Sequence, residues 1–293
     1  PHPRAPQRRA VGPDRHPMTG HHSAPRVPVR RKIAVATWRP SRDGRIYARM
    51  EVDVTPALAY IDRVREETGE RITITHVVGA ALGRALRAVP EVRARVVFGR
   101  LRPLETCDIG FAVDIDRGSD LAPIKVHDVD RLSPVEIAQA LDAGAGKLRR
   151  GDHTSYKRTS SLVKIAPAWA LRPVMAAAGV VAGGFGKGFV GQPGFPLGTA
   201  FVSNVGTLGL DEAFLAPLPL ARTPIYLAVG TVQQRAVVVD GEVVARPVLV
   251  LVATADHRIV DGAHAGQVTT IVRDLLTHPD RLDAPPHHDF SSP

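Results

Sequence analysis

The sequence predicts an α+β fold, a two-layer arrangement of one sheet with helices packed on it. Three observations carry this reading. Hydrophobic spacing switches several times between the two-residue period of a strand and the wider period of a helix, with cap or turn residues at the joints. Asp240-Gly241 joins two long apolar runs and favours the positive backbone angles of a tight hairpin. No strand-helix-strand unit recurs, and no internal repeat is present.

The elements follow in order. IYARMEVDV (46–54) alternates like a half-buried strand. TPALAYIDRVREETG reads as a helix, with Thr55 as N-cap, Pro56 at the first helical position, Leu58, Ile61 and Val64 on one face, and Gly69 closing the end. RITIT is expected as a short strand before a second helix over about 76–88, stopped by Pro90. DIGFAVDI and LAPIKV pair across the turn-rich DRGSD. SPVEIAQALDAGAGKLRRG opens with Ser133, Pro134 and Glu136, a capping box that starts a third helix. FVSNVGTLGL, IYLAVGTVQQRAVVV and EVVARPVLVLVATA read as strands. Asp261 then caps a helix whose buried side carries Val268, Ile271, Val272, Leu275 and Leu276.

The 293 residues carry a formal charge of +9, which by itself suggests nucleic acid or an anionic membrane. The charge is unevenly placed. Arg4, Arg8, Arg9, Arg15, Arg26, Arg30, Arg31 and Lys32 stand against Asp14 alone, so the first 32 residues hold seven of the nine charges. The rest of the chain is close to neutral, which removes the case for a nucleic-acid-binding domain. Residues 1–30 are expected as a disordered basic Pro/Arg-rich tail, residues 31–283 as the folded domain, and 284–293 as a flexible tail. Met18 leaves open a natural start within the leading tail. The one cysteine, Cys107, excludes an internal disulfide framework and fits a reducing cytoplasm; it reads as a small buried hydrophobe.

Residues 157–199 stand out, with five basic residues and no acidic one. The longest uncharged run, Pro173 to Gly186, is 14 residues, short of the roughly 20 that a spanning helix needs. Three readings stay open: a core helix with a glycine-rich loop, a lid over an apolar pocket, and a helix in a membrane interface with Trp169 at headgroup level.

The candidate chemistry lies in ATADHRIVDGAHAG (253–266). His257 falls where a strand ends and a helix has not begun, so its ring can project from a rigid edge. A neutral imidazole accepts a proton from a thiol near neutral pH, making the thiolate that attacks an acyl group. Asp261 can fix local geometry by pairing with an arginine. His257, Asp261 and His264 have the spacing of a metal site on one helical face but lack a clustered fourth ligand, and no GxSxG elbow supports a serine hydrolase. A buried histidine satisfying a backbone carbonyl is the plain alternative. In FVSNVG (201–206), Ser203 and Asn204 interrupt an apolar strand, and a hydroxyl there can donate to the oxyanion formed when a thiolate attacks a thioester.

FVSNVGTLGLDEA, VVVDGEVVARPVLVLVATADHRIVDGAHAG and LLTHPDRL, in this order, resemble the catalytic domain of dihydrolipoamide acyltransferases of 2-oxoacid dehydrogenase complexes. DHRxxDG is the most specific motif. EVDVTPAL, ITHVVGAALGRAL, DIGFAVDID and LSPVEIAQAL extend the resemblance over about 31–150 and 200–282. HHxxxDG is the related motif of chloramphenicol acetyltransferases and peptide-synthetase condensation domains; Asp256 before His257 favours the dihydrolipoamide branch.

The resemblance implies a chloramphenicol acetyltransferase-like fold and a homotrimer with its active site between subunits. Coenzyme A, as substrate, would enter from one side and a dihydrolipoyl group from the other. His257 would be the general base, Ser203 the oxyanion donor, and Asp261 a residue holding the geometry through an ion pair; no metal is needed. Asn204 matches a family position without an assigned role. This chain shows no lipoyl or partner-binding domain, so a lipoyl group would come on a separate carrier protein or a small thiol would take its place. DAPPHHDFSSP replaces an apolar anchor, predicting a trimer that assembles no further. The 157–199 insertion would reshape the acceptor pocket toward a bulkier acyl group, and peripheral membrane contact through it stays open. The alternatives are an acetyltransferase acting on a small hydroxylated molecule and a non-catalytic trimeric scaffold.

Overall fold

A computed structural model describes residues 44–114, 121–149, 167–189 and 193–283. The two expected tails, the DRGSD turn and much of the 157–199 segment lie outside the described residues. The strands are β1 (Arg45–Asp53), β2 (Ala94–Val97), β3 (Arg100–Pro103), β4 (Ile109–Asp114), β5 (Leu121–Val126), β6 (Ala200–Asn204), β7 (Ile225–Val229), β8 (Gln233–Val239) and β9 (Glu242–Asp256). The helices are α1 (Thr55–Thr68), α2 (Ile74–Ala88), α3 (Pro134–Arg149), α4 (Ala168–Phe185) and α5 (Gly262–Thr277).

Seven strands form one mixed sheet in the order β1-β9-β7-β6-β4-β5, with β8 also paired to β9. β4–β6 and β6–β7 run parallel and the other pairs antiparallel. One face carries the main core: Met50, Val52, Ile109, Phe111, Ala200, Val202, Ile225, Leu227, Leu249 and Leu251 meet the buried sides of α1, α2, α3 and α5. This is the two-layer α+β arrangement expected from the sequence. The opposite face carries Ala228, Val250 and Val252, packed with Val205, Ala213 and Leu215. The segment after β6 therefore covers the face that the helices leave open.

Local chemistry explains most boundaries. Gly69 ends α1 in the left-handed conformation at φ 71°, its N–H donating to Arg65 O. Ser133 and Glu136 exchange hydrogen bonds at the start of α3. The start of α1 differs from expectation: Thr55 is already helical, and Asp53 Oδ1 accepts from both its N–H (2.9 Å) and its hydroxyl (2.6 Å).

Three other expectations need correction. RITIT forms no strand; α2 begins at Ile74, because His76 Nδ1 accepts the Thr73 N–H at 3.0 Å and cap chemistry prevails over alternation of branched residues. FVSNVGTLGL stops being a strand at Asn204, whose Oδ1 accepts the Thr207 N–H. IYLAVGTVQQRAVVV is two strands: β7 pairs Val229 with Leu251 and β8 pairs Gln233 with Val248, so one extra residue is looped out around Gly230. An ideal Cβ on Gly230 would lie 1.8 Å from Asp211 O, so only glycine lets the covering segment pass. The β2–β3 hairpin went unread in the sequence, since its turn is Phe98-Gly99 at φ 50° and 74°, and phenylalanine is no signal for a left-handed position.

Among the described residues, no helix is long and apolar enough to cross a membrane.

Candidate active site

His257 is the first residue beyond β9, and its N–H donates to Gly44 O at 3.2 Å. It therefore still lies in line with the sheet, beside the start of β1. The chain then turns tightly, with the N–H groups of Ile259 and Val260 both donating to Asp256 O at 2.9 Å. That turn brings Val260 O to 3.0 Å from His257 Nδ1. A carbonyl oxygen can only accept, so Nδ1 carries a hydrogen, and in the neutral imidazole the lone pair lies on Nε2. The imidazole is thus held in one tautomer at an exposed strand end.

Asp256 supports the turn from beneath. Burial alone would raise its carboxyl, but Arg258 grips both oxygens, Nε at 2.9 Å and Nη2 at 2.6 Å, and holds it below the usual carboxylate range.

Asp261 was expected to pair with an arginine. In the chain it caps α5: Oδ1 accepts the His264 N–H at 2.9 Å and lies 3.1 Å from His264 Nδ1. Donation by that backbone N–H is the main reason its carboxyl is held low, and the orphan N–H groups of a helix start make it a natural use of an aspartate. Asp261 thereby fixes where α5 begins and how long the turn carrying His257 can be. The cap is reciprocal, since the Asp261 N–H faces His264 Nδ1 at 3.4 Å. His257, Asp261 and His264 do not gather into a metal-holding cluster among the described residues.

Ser203 lies on β6, 8% exposed, beside Ala228 of β7. It points away from Ala200 and Val202, toward the face covered by the segment after β6. Asn204 Nδ2 donates to Thr75 Oγ1 at 2.7 Å, so Asn204 ties the end of β6 to the start of α2. This bracing role has no signal in the sequence, because it joins positions 129 residues apart.

The single chain does not bring His257 and Ser203 together. Ser203 aligns through Ala228 with Val252 on β9, and His257 is five positions further along that strand. At the usual rise and spacing of strands the Cα atoms are about 17 Å apart along the strand and about 10 Å across it, near 19 Å in all. The histidine ring and the serine hydroxyl together reach well short of that distance. An arrangement in which both act on one substrate requires His257 of one subunit and Ser203 of another.

Cys107 is buried, and burial with the neighbouring Asp130 pushes its thiol up to about 12, which leaves it an inert core residue.

The family profile of the 2-oxoacid dehydrogenases acyltransferase catalytic domain matches residues 20–165 and 194–283. The intervening 166–193 contains α4. A relative by sequence is the dihydrolipoyllysine-residue acetyltransferase component of the pyruvate dehydrogenase complex from Mycoplasma capricolum, 28% identical over 216 residues, which are 72% of this chain and 40% of that protein. The chain thus spans less than half the length of that relative. The fold is similar to a probable dihydrolipoamide acetyltransferase from Listeria monocytogenes, with a TM-score of 0.64 and 20% identity over 88% of this chain and 95% of that one. It is also similar to the Azotobacter vinelandii dihydrolipoamide acetyltransferase, with a TM-score of 0.59 and 20% identity over 83% of this chain and 85% of that one. That structure concerned the role of a serine, a histidine and an asparagine in the catalytic mechanism, the asparagine standing four positions after the histidine. The profile match covers most of the sequence, including both candidate site strands, and the chain belongs to the 2-oxoacid dehydrogenase acyltransferase family through its catalytic domain.

Proposed function

We propose that this chain is an acyltransferase moving an acyl group between coenzyme A and a dihydrolipoyl or other thiol, at a site built between subunits of a homotrimer. The single observation that carries the reading is the His257 ring, held by Val260 O so that Nε2 is the proton acceptor at an exposed strand end.

The chemistry follows from that atom. Nε2 takes the proton of the attacking thiol as its sulfur closes on the thioester carbonyl. The carbonyl oxygen becomes an oxyanion, and the hydroxyl of Ser203 from a neighbouring subunit donates to it. Collapse of the tetrahedral intermediate breaks the original carbon–sulfur bond, and the departing thiolate recovers the proton from the imidazolium. Proton and acyl group are both accounted for, and the base is regenerated. Asp261 acts as a positioning residue, through the cap that sets the turn. The spacing of four from His257 to Asp261 equals that from the histidine to the asparagine of the Azotobacter vinelandii enzyme.

The register supports the placement between subunits, since one chain holds the base and the hydroxyl about 19 Å apart. The test is acetyl-coenzyme A turnover against free dihydrolipoamide. His257→Ala is expected to lower the rate about 10²–10⁴-fold, and Ser203→Ala about 10²–10³-fold. A His257→Ala protein as fast as the parent would remove the histidine from the mechanism. A thermal shift with coenzyme A separates an enzyme from a scaffold, because a ligand of the folded state raises its stability.

A further inference from the structure

The β2–β3 hairpin and α4 pack against each other, and Arg222 joins both to the body by donating to Gly179 O at 2.7 Å and to Val96 O. Arg95 Nε donates to Gly184 O at 2.6 Å, and the Arg95 guanidinium lies 4.0 Å from the Phe195 ring centre. The rings of Phe98 and Phe185 are 6.1 Å apart, with Arg102 5.8 Å from Phe185. The hairpin turn, with Phe98 at φ 50°, leaves Phe98 75% and Leu101 59% exposed, and Trp169 at the far end of α4 is 73% exposed. Between them α4 turns Arg172, Pro173, Ala176 and Ala177 to solvent.

The hairpin, Ala94–Pro103, and residues 167–189 contain Arg95, Arg100, Arg102, Arg172 and Lys187 and no aspartate or glutamate, with Glu91 and Glu105 flanking the hairpin at its base. None of the five forms a salt bridge among the described residues, whereas Arg49 and Arg235, at the β1 and β8 strands, are paired with Glu212 and Glu51. Exposed aromatic side chains among cations that form no salt bridge among the described residues match a surface that is apolar below and negatively charged at its boundary. The α4 part falls in the stretch that the family profile leaves unmatched.

We propose that the hairpin tip and the outer side of α4 dock on a bilayer surface bearing anionic headgroups. Phe98, Leu101 and Trp169 enter the interface, and Arg100, Arg102, Arg172 and Lys187 meet the phosphates. This lies beyond the proposed acyl transfer and stands or falls without it.

The test is co-sedimentation of the full chain with vesicles of phosphatidylcholine containing about one-third phosphatidylglycerol, beside vesicles of phosphatidylcholine alone. The chain is expected to pellet with the anionic vesicles, less so at high salt. Phe98→Ser with Trp169→Ser, in a chain that keeps its basic leading segment, is expected to lower the partition about tenfold. Folding of the variant is checked by its melting temperature, and Leu101→Ser with Arg100→Gln serves as an independent second variant. In a Trp38→Phe background, Trp169 emission is expected to move to shorter wavelength on binding. Wild-type chain left in the supernatant, or variants that pellet equally, would overturn the proposal. So would a fall in oligomer mass on mutation without vesicle binding, since the surface would then join copies of this chain.

Discussion

Mixing two inactive variants gives a sharp test of the site. Ser203→Ala retains the base and His257→Ala retains the hydroxyl. If one chain supplied both groups, every mixed oligomer would be as inactive as its parents. The register separates the two by five positions along the strand and two strands across, about 19 Å, so each site needs two chains. In a cyclic trimer refolded from equal amounts of the variants, a site works when its histidine comes from a Ser203→Ala chain and its serine from a His257→Ala chain. Random assembly makes about one quarter of sites intact. Co-refolded protein should therefore recover about one quarter of wild-type acetyl transfer from acetyl-coenzyme A to dihydrolipoamide, against parents lowered by two orders of magnitude or more. Equal melting temperatures and oligomer masses establish that the parents fold and assemble. Activity in the mixture no higher than in the parents would refute the shared-site reasoning.

Three further outcomes follow from the packing. Burial holds His76 neutral in the fold, down to about 4, while an unfolded chain protonates near the ordinary value of about 6.5. The unfolded state thus binds the extra proton between those values. The melting temperature should fall as pH drops through that window, and His76→Gln, which can still accept the Thr73 N–H, should flatten the fall; an identical pH profile would refute this. Gly183→Ala places a Cβ 2.0 Å from the Leu220 carbonyl oxygen, which should unseat α4 and cost about 1–3 kcal/mol in urea unfolding, and an unchanged midpoint would count against the packing. Cys107, with its thiol pushed up to about 12, should react with iodoacetamide at pH 8 only as fast as the protein unfolds, as followed by mass spectrometry.

Much of this protein was legible from local chemistry. Gly69, the Ser133–Glu136 pair, Asp240-Gly241 and Asp261 act within a few residues of themselves, so their spacing announces a helix end, two helix starts and a hairpin. The alternation around Met50 and Val52 marks the sheet face that meets the helices. The candidate residues His257, Ser203 and Asp261 were equally visible, because their motifs are short and ordered.

Only the tertiary structure decided the rest, because it depends on partners far away in sequence. Asp211 O makes Gly230 the break in a long apolar run. Thr75 turns Asn204 from a candidate into a brace. The Val260 carbonyl, close in sequence but placed by a turn, selects the His257 tautomer. The strand register holds His257 and Ser203 apart in one chain, a fact no local spacing can contain because it is set by pairing β6 to β7 and β7 to β9. Sequence alone named the chemical groups; the long-range hydrogen bonding of the sheet decided where each of them stands.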